Sequence, residues 1–264
     1  MSLTMGTGPL AGDRAGTFDD GTRISASPLY LEELPKRVRG YLGGRPVVDA
    51  AAPRLLHQGA RLPRWLFDRS SVDGDLLVPT DRIRQDPVLG GVRSWDLRLD
   101  SRVVRDAAED VPDPAPGLPP LAGLVAVRFD ALDRWLEEED EVIGHPRDPY
   151  HRVDTRRSAD SVVVRVGGEV VAESTRPVKL FETGLPVRYY LPPEDVRHAF
   201  LAPSLTRTIC PYKGIASYWS VTVGGRVVAD GVWTYADPLG EALQVRGLLS
   251  FLGEGVDVEV ARAI

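Results

Sequence analysis

The sequence predicts a mainly β protein: two tandem, pseudo-symmetric small antiparallel β domains with a few short helices. Three observations predict it. The chain repeats itself: "KRVRGYLGGRPVVDAAAPRLLHQGARLPRWLF" (36–67) aligns with "SVVVRVGGEVVAESTRPVKLFETGLPVRYYL" (161–191). Gly43-Gly44 meets Gly167-Gly168 at an offset of 124 residues, and Trp95 meets Trp219 at the same offset in a second aligned block. Gly-Gly pairs stand between β-branched runs, the signature of two-residue hairpin turns. The runs are short and separated by Gly and Pro, as in compact antiparallel folds.

In chain order, residues 1–34 are rich in Gly, Ser, Thr and Asp and read as a flexible leader. The first copy spans 35–132, with "VPDPAPGLPP" (111–120) as an irregular loop inside it. Residues 133–157 read as a connector. At its start "DALDRWLEEEDEV" (130–142) predicts a short helix, with Asp130 as its cap and Leu132, Trp135 and Leu136 at i, i+3 and i+4. "IGHPRDPYHRVD" (143–154) follows, punctuated by proline. The second copy spans 158–264. "SVVVRVGGEVVAE" and "SVTVGGRVVAD" predict hairpins, "VKLFE" (178–182) and "VDVEV" (256–260) further strands, and "PPEDVRHAF" (192–200) one short helix.

Composition excludes several functions. A formal net charge of −6 with no basic block argues against nucleic acid and anionic membrane surfaces as partners. One cysteine excludes an internal disulfide and a Cys-rich zinc site, and the four histidines lack HxxxH or HExxH spacing, so no metal or other cofactor is expected. A free thiol, no export signal and no membrane-length apolar stretch predict a cytoplasmic protein. Only 3 of the 32 basic residues are lysines, the bias of a GC-rich genome. A lysine kept against that drift suggests a position where a compact ammonium matters, which draws attention to Lys179 and Lys213.

"RPVKLFETGLPVRYYLPPEDV" (176–196), "CPYKGIASYWSV" (210–221) and "VWTYADPL" (232–239) resemble the domain of unknown function numbered 427. The resemblance covers about the last 125 residues closely, and the first copy fits as a worn version. It implies a small β domain related to the Mss4-like, or β-tent, folds, among which are zinc-bearing members and members that bind small ligands in aromatic cups. A single cysteine cannot hold their four-cysteine zinc. The nucleotidyltransferase-like label sometimes attached to the family finds no support, because no Gly-Ser followed by paired acids occurs.

Cys210 is either a small buried hydrophobe or a nucleophile whose thiolate needs a nearby cation. No histidine lies in its motif; His145, in the connector, is the candidate base. Lys213 is either a turn-side surface lysine or a point charge, or Schiff-base amine, for a ligand. Glu182 is the expected counter-ion for it or for Arg188. Strand parity groups Trp219 with Ile215 and Val221, a core pattern, although a ligand cage remains its alternative reading. Trp233 and Tyr235 share a face with Ala229 and Gly231, as rings over small residues would in a cage. Tyr212, Tyr189 and Tyr190 complete the candidate set. Arg188, Tyr189 and Tyr190 align with Trp65, Leu66 and Phe67 of the first copy, which are apolar.

The first copy keeps the hairpins, the prolines and Trp95 but has "DPVLGG" (86–91) in place of the Cys-Pro-Tyr-Lys run and Gln58 in place of Glu182. Polar and reactive residues are thus confined to the second copy. The expectation is one small-molecule pocket there, for an anionic or heterocyclic ligand, with Lys213→Ala weakening uptake at unchanged stability. The alternatives are an enzyme using Cys210 or Lys213 covalently and a protein-interaction module.

Overall fold

Val-rich runs flanking Gly-Gly pairs become hairpins in the computed structural model, which describes residues 3–12 and 28–263. Gly43-Gly44, Gly167-Gly168 and Gly224-Gly225 all carry positive φ at both positions. Only that backbone lets a two-residue turn match the twist of its strands. The chain divides into two compact units, Met1–Tyr150 and His151–Ile264.

The first unit holds Leu29–Glu33 (β1), Val38–Leu42 (β2), Arg45–Ala50 (β3), Arg54–Gln58 (β4), Arg64–Asp68 (β5) and Leu77–Asp86 (β6). Gly90–Leu99 (β7), Arg102–Asp110 (β8), Leu124–Val127 (β9), Arg134–Glu137 (β10) and Asp140–Glu141 (β11) complete it. They form one sheet in the order β1-β4-β5-β9-β8-β7-β6 and another in the order β11-β10-β2-β3.

The second unit repeats the plan with Val153–Arg157 (β12), Ser161–Val166 (β13), Glu169–Ser174 (β14), Val178–Glu182 (β15) and Arg188–Tyr190 (β16). Leu201–Cys210 (β17), Gly214–Val223 (β18), Arg226–Tyr235 (β19), Ser250–Phe251 (β20) and Val256–Ala261 (β21) follow. Its sheets run β12-β15-β16, β14-β13-β21 and β17-β18-β19-β20. The register repeats too: Leu29 pairs with Gln58 and Val153 with Glu182, each pair 124 residues from its counterpart. Both units are therefore one antiparallel design used twice.

Several expectations are corrected. The helix predicted over 130–142 is a 3-10 turn at Phe129–Ala131 followed by β10 and β11, and β10 pairs with β2. The i, i+3, i+4 spacing came from a turn leading into a strand covered on both faces, with Trp135, Leu136 and Glu137 all buried. Residues 192–200 form two 3-10 turns, Pro193–Asp195 and His198–Phe200, rather than one helix. Of the leader expected over 1–34, residues 1–2 and 13–27 lie outside the described residues, and Leu29–Glu33 is a strand paired with β4. β10 and β12 likewise draw both ends of the predicted connector (133–157) into the two sheet systems. No helix among the described residues is long and apolar enough to cross a membrane.

Candidate functional site

Two strands of one sheet face two of another across a hollow in the second unit. Leu180 and Glu182 come from β15, Arg188 and Tyr190 from β16, Tyr218 from β18, and Asp230, Trp233 and Tyr235 from β19. Lys213, in the turn between β17 and β18, joins them with Leu185 and Leu252, around about 270 Å³ of space. Sequence parity placed Ala229 and Gly231 beneath Trp233. Instead the β18–β19 register shifts between Trp219 and Val221, and Asp230 takes a φ of 51°. That bulge turns Asp230 into the hollow and Gly231 against Val228, where an added Cβ would come within 2.8 Å of Val228 Cγ1.

The floor is an ionic cluster. Lys213 donates to Glu182 Oε2, and the other carboxylate oxygen lies 3.1 Å from His151 Nε2. Burial alone would push the Glu182 carboxyl up; the His151 hydrogen bond and the Lys213 charge outweigh it and hold the group down at about 2. His151 is fixed in turn by stacking on Tyr212, with ring centroids 4.0 Å apart. The Lys213 amine is thus committed to an internal partner, a salt-bridge role rather than that of a free nucleophile.

The walls are differently endowed. Trp233 Nε1–H donates to the Tyr190 hydroxyl at 3.0 Å, which sets the two rings edge to face and leaves the phenol proton available. Burial pushes the Tyr190 and Tyr235 phenols up, so both remain neutral donors. The guanidinium of Arg188, a half-buried residue, makes no hydrogen bond or ion pair with any described residue. Asp230 accepts from Thr206 Oγ1 at 2.7 Å. The Ser204 and Thr206 hydrogen bonds hold its carboxyl below the usual range, and among the described residues no cation pairs with it.

Of the residues singled out in the sequence, six line the hollow: Glu182, Arg188, Tyr190, Lys213, Trp233 and Tyr235. Tyr212 sits behind it on His151. Cys210 is partly exposed and packs against the Tyr190–Tyr212–Tyr235 cluster, and no described base hydrogen-bonds to its thiol. Trp219 packs on the aliphatic cluster of Val162, Leu191 and Val232, in line with its core pattern. Tyr189 lines a separate hollow with Val187 and Phe251, and Lys179 lies 5.8 Å from its ring. Lys179 itself pairs with Asp160 at 2.5 Å, so it is structural. His145 lies in the first unit, its Nδ1 2.7 Å from the Pro146 carbonyl. His151, Tyr218 and Asp230 were missed.

The first unit shows what this position becomes without a site. Strand register makes Arg64, Trp65 and Leu66 the counterparts of Arg188, Tyr189 and Tyr190, one residue away from the counterparts expected from sequence, Trp65, Leu66 and Phe67. Leu66, Leu89 and Val111 stand where Tyr190, Lys213 and Tyr235 stand in the second unit, and they close the space to about 20 Å³. Glu109 replaces Trp233 and pairs with Arg64. The first copy therefore keeps the guanidinium but supplies its counter-ion internally. A larger hollow of about 410 Å³ lies elsewhere in this unit, beside Trp65, Phe129 and His145, but its two cations, Arg64 and Arg128, are paired with Glu109 and Asp130.

Compared with known families, residues 30–138 and 154–262 each match the one described as a domain of unknown function, DUF427. The two matched stretches are separated by the same 124 residues as the strands. A search of curated proteins finds no match.

Proposed function

The chain belongs to the DUF427 family, in two tandem copies, and from that premise we propose that it is a small-molecule-binding protein with one binding site, the hollow of the second unit. The observation that carries this reading is the contrast between copies on one scaffold. Where the first copy fills the position with leucines and pairs its arginine, the second keeps about 270 Å³ open and leaves Arg188 without a partner. That volume lies just below the usual range for ligand sites, about 300–1,000 Å³, so the ligand is small. The tyrosine hydroxyls and Arg188 favour a ligand with an anionic group, and the Trp233 face favours a flat body. Folds that hold ligands in aromatic cups, to which the β-tent resemblance points, are consistent with this. The unpaired Cys210 thiol supports a reducing, cytoplasmic setting.

The test is native mass spectrometry of the full chain purified from its own host, beside Arg188→Gln made in the same way. The wild type is expected to carry an added mass of a few hundred daltons or less, removed or reduced at least tenfold in the variant. A wild-type chain that arrives at its bare sequence mass, or an added mass that Arg188→Gln leaves untouched, counts against the site.

A further inference from the structure

Resting on that reading of the hollow, we infer that its ligand is a zwitterion: an anionic head held by Arg188, an ammonium held by Asp230, and a flat body between them against Trp233. The two charged side chains line the same hollow. In the first unit the equivalent charges are both neutralised from within the chain. Arg64 is paired with Glu109, and Asp106 with Arg82 at 2.9 Å, Arg82 also reaching Asp96. The second unit lacks each of these counter-ions. Trp233 stands in place of Glu109, Thr206 in place of Arg82 and Ser220 in place of Asp96.

The replacements differ in kind, and the difference is informative. Thr206 still hydrogen-bonds Asp230, which keeps the carboxylate oriented without neutralising it. Trp233 offers Arg188 no charge at all. The half-buried guanidinium has no opposite charge, and the Asp230 carboxylate, kept ionised by its hydroxyl donors, has none either; one ligand carrying the two complementary groups satisfies both. An anion alone would answer Arg188 and meet repulsion from Asp230; an amine alone would meet the reverse. Glu182 and Lys213 do not change the balance, because they cancel each other.

The experiment is ligand-observed NMR on the full chain with matched triples of probes. These are phenylalanine, 3-phenylpropionate and 2-phenylethylamine, and tryptophan, indole-3-propionate and tryptamine, with Trp233→Ala as the control for the site. The amino acid of a triple is expected to bind at least tenfold more tightly than either singly charged partner. Asp230→Asn should remove its advantage over the acid, and Arg188→Gln its advantage over the amine. If the acid binds as tightly as the amino acid, and Asp230→Asn leaves it unchanged, the zwitterion inference falls while the binding site stands. If no probe gives a signal that Trp233→Ala abolishes, the inference falls, and the binding site is then judged by the co-purified mass.

Discussion

Lys213→Met is expected to lower the unfolding free energy by about 3 kcal/mol, because it strips the principal cation from a buried carboxylate. The side chains of Lys213 and Glu182 are only 11% and 7% exposed, so solvent cannot take over the lost charge. This replaces the expectation drawn from sequence, that lysine removal would spoil uptake and leave stability alone. The double change Glu182→Gln/Lys213→Leu, which installs the first copy's own pair, should cost much less, since both charges leave together. Acid should reproduce the effect in the wild type. Glu182 titrates at about 2 in the folded chain against 4.5 when unpaired. Its contribution is therefore complete above pH 4.5 and is lost as the pH falls through 2, about 3 kcal/mol in all. Denaturant titrations from pH 7 to pH 2 check this: Glu182→Gln should flatten the acid limb. A Lys213→Met chain as stable as wild type would show that the pair contributes nothing.

Trp135→Ala is expected to destabilise the first unit by about 3–5 kcal/mol. Trp135 is 1% exposed, lies nearly parallel to Phe67 and Phe129, and touches Trp65 at a centroid distance of 5.1 Å. Its Nε1–H donates to the Phe129 carbonyl at 2.8 Å, a bond the variant leaves unmade. Gly40 exists to admit this ring: an added Cβ would stand 2.7 Å from Trp135 Cζ3. The counterpart in the second unit is Glu259, whose side chain is 63% exposed, so Glu259→Ala should change stability by no more than about 0.5 kcal/mol. Guanidinium unfolding followed separately for each unit measures both. Equal small effects would mean that the first copy's aromatic core is not what holds it. A large effect at Trp135 shows that the first copy is worn only as a site and remains well packed as a fold.

The scaffold was legible because the chain states it twice. The 124-residue offset and the Gly-Gly pairs located the hairpins, and "VKLFE" became β15 as read. The same offset also held the correction that local periodicity obscured. "VDVEV" (256–260), read as a strand, maps onto 132–136, read as a helix. A turn running into a doubly covered strand imitates helical spacing, and the repeat outweighs that imitation. The bulge at Asp230 was not legible, since parity assumes an unbroken ladder, and it exchanged Gly231 for Asp230 in the hollow. Asp230 nevertheless left a trace: it is matched by Asp106 while the paired arginine at 82 has become Thr206. His151 left less, because it lies in the proline-punctuated stretch read as a connector and meets Glu182 only through the β12–β15 pairing.

The central claim is that one strand scaffold carries an occupied hollow in its second copy and a closed one in its first. A crystal structure of the chain purified from its own host tests it most directly. The account predicts ordered density for a small molecule between Arg188, Asp230 and the Trp233 ring, and none among Leu66, Leu89 and Val111. Side chains of Arg188 and Asp230 turned outward to solvent around an empty or water-filled hollow would contradict it.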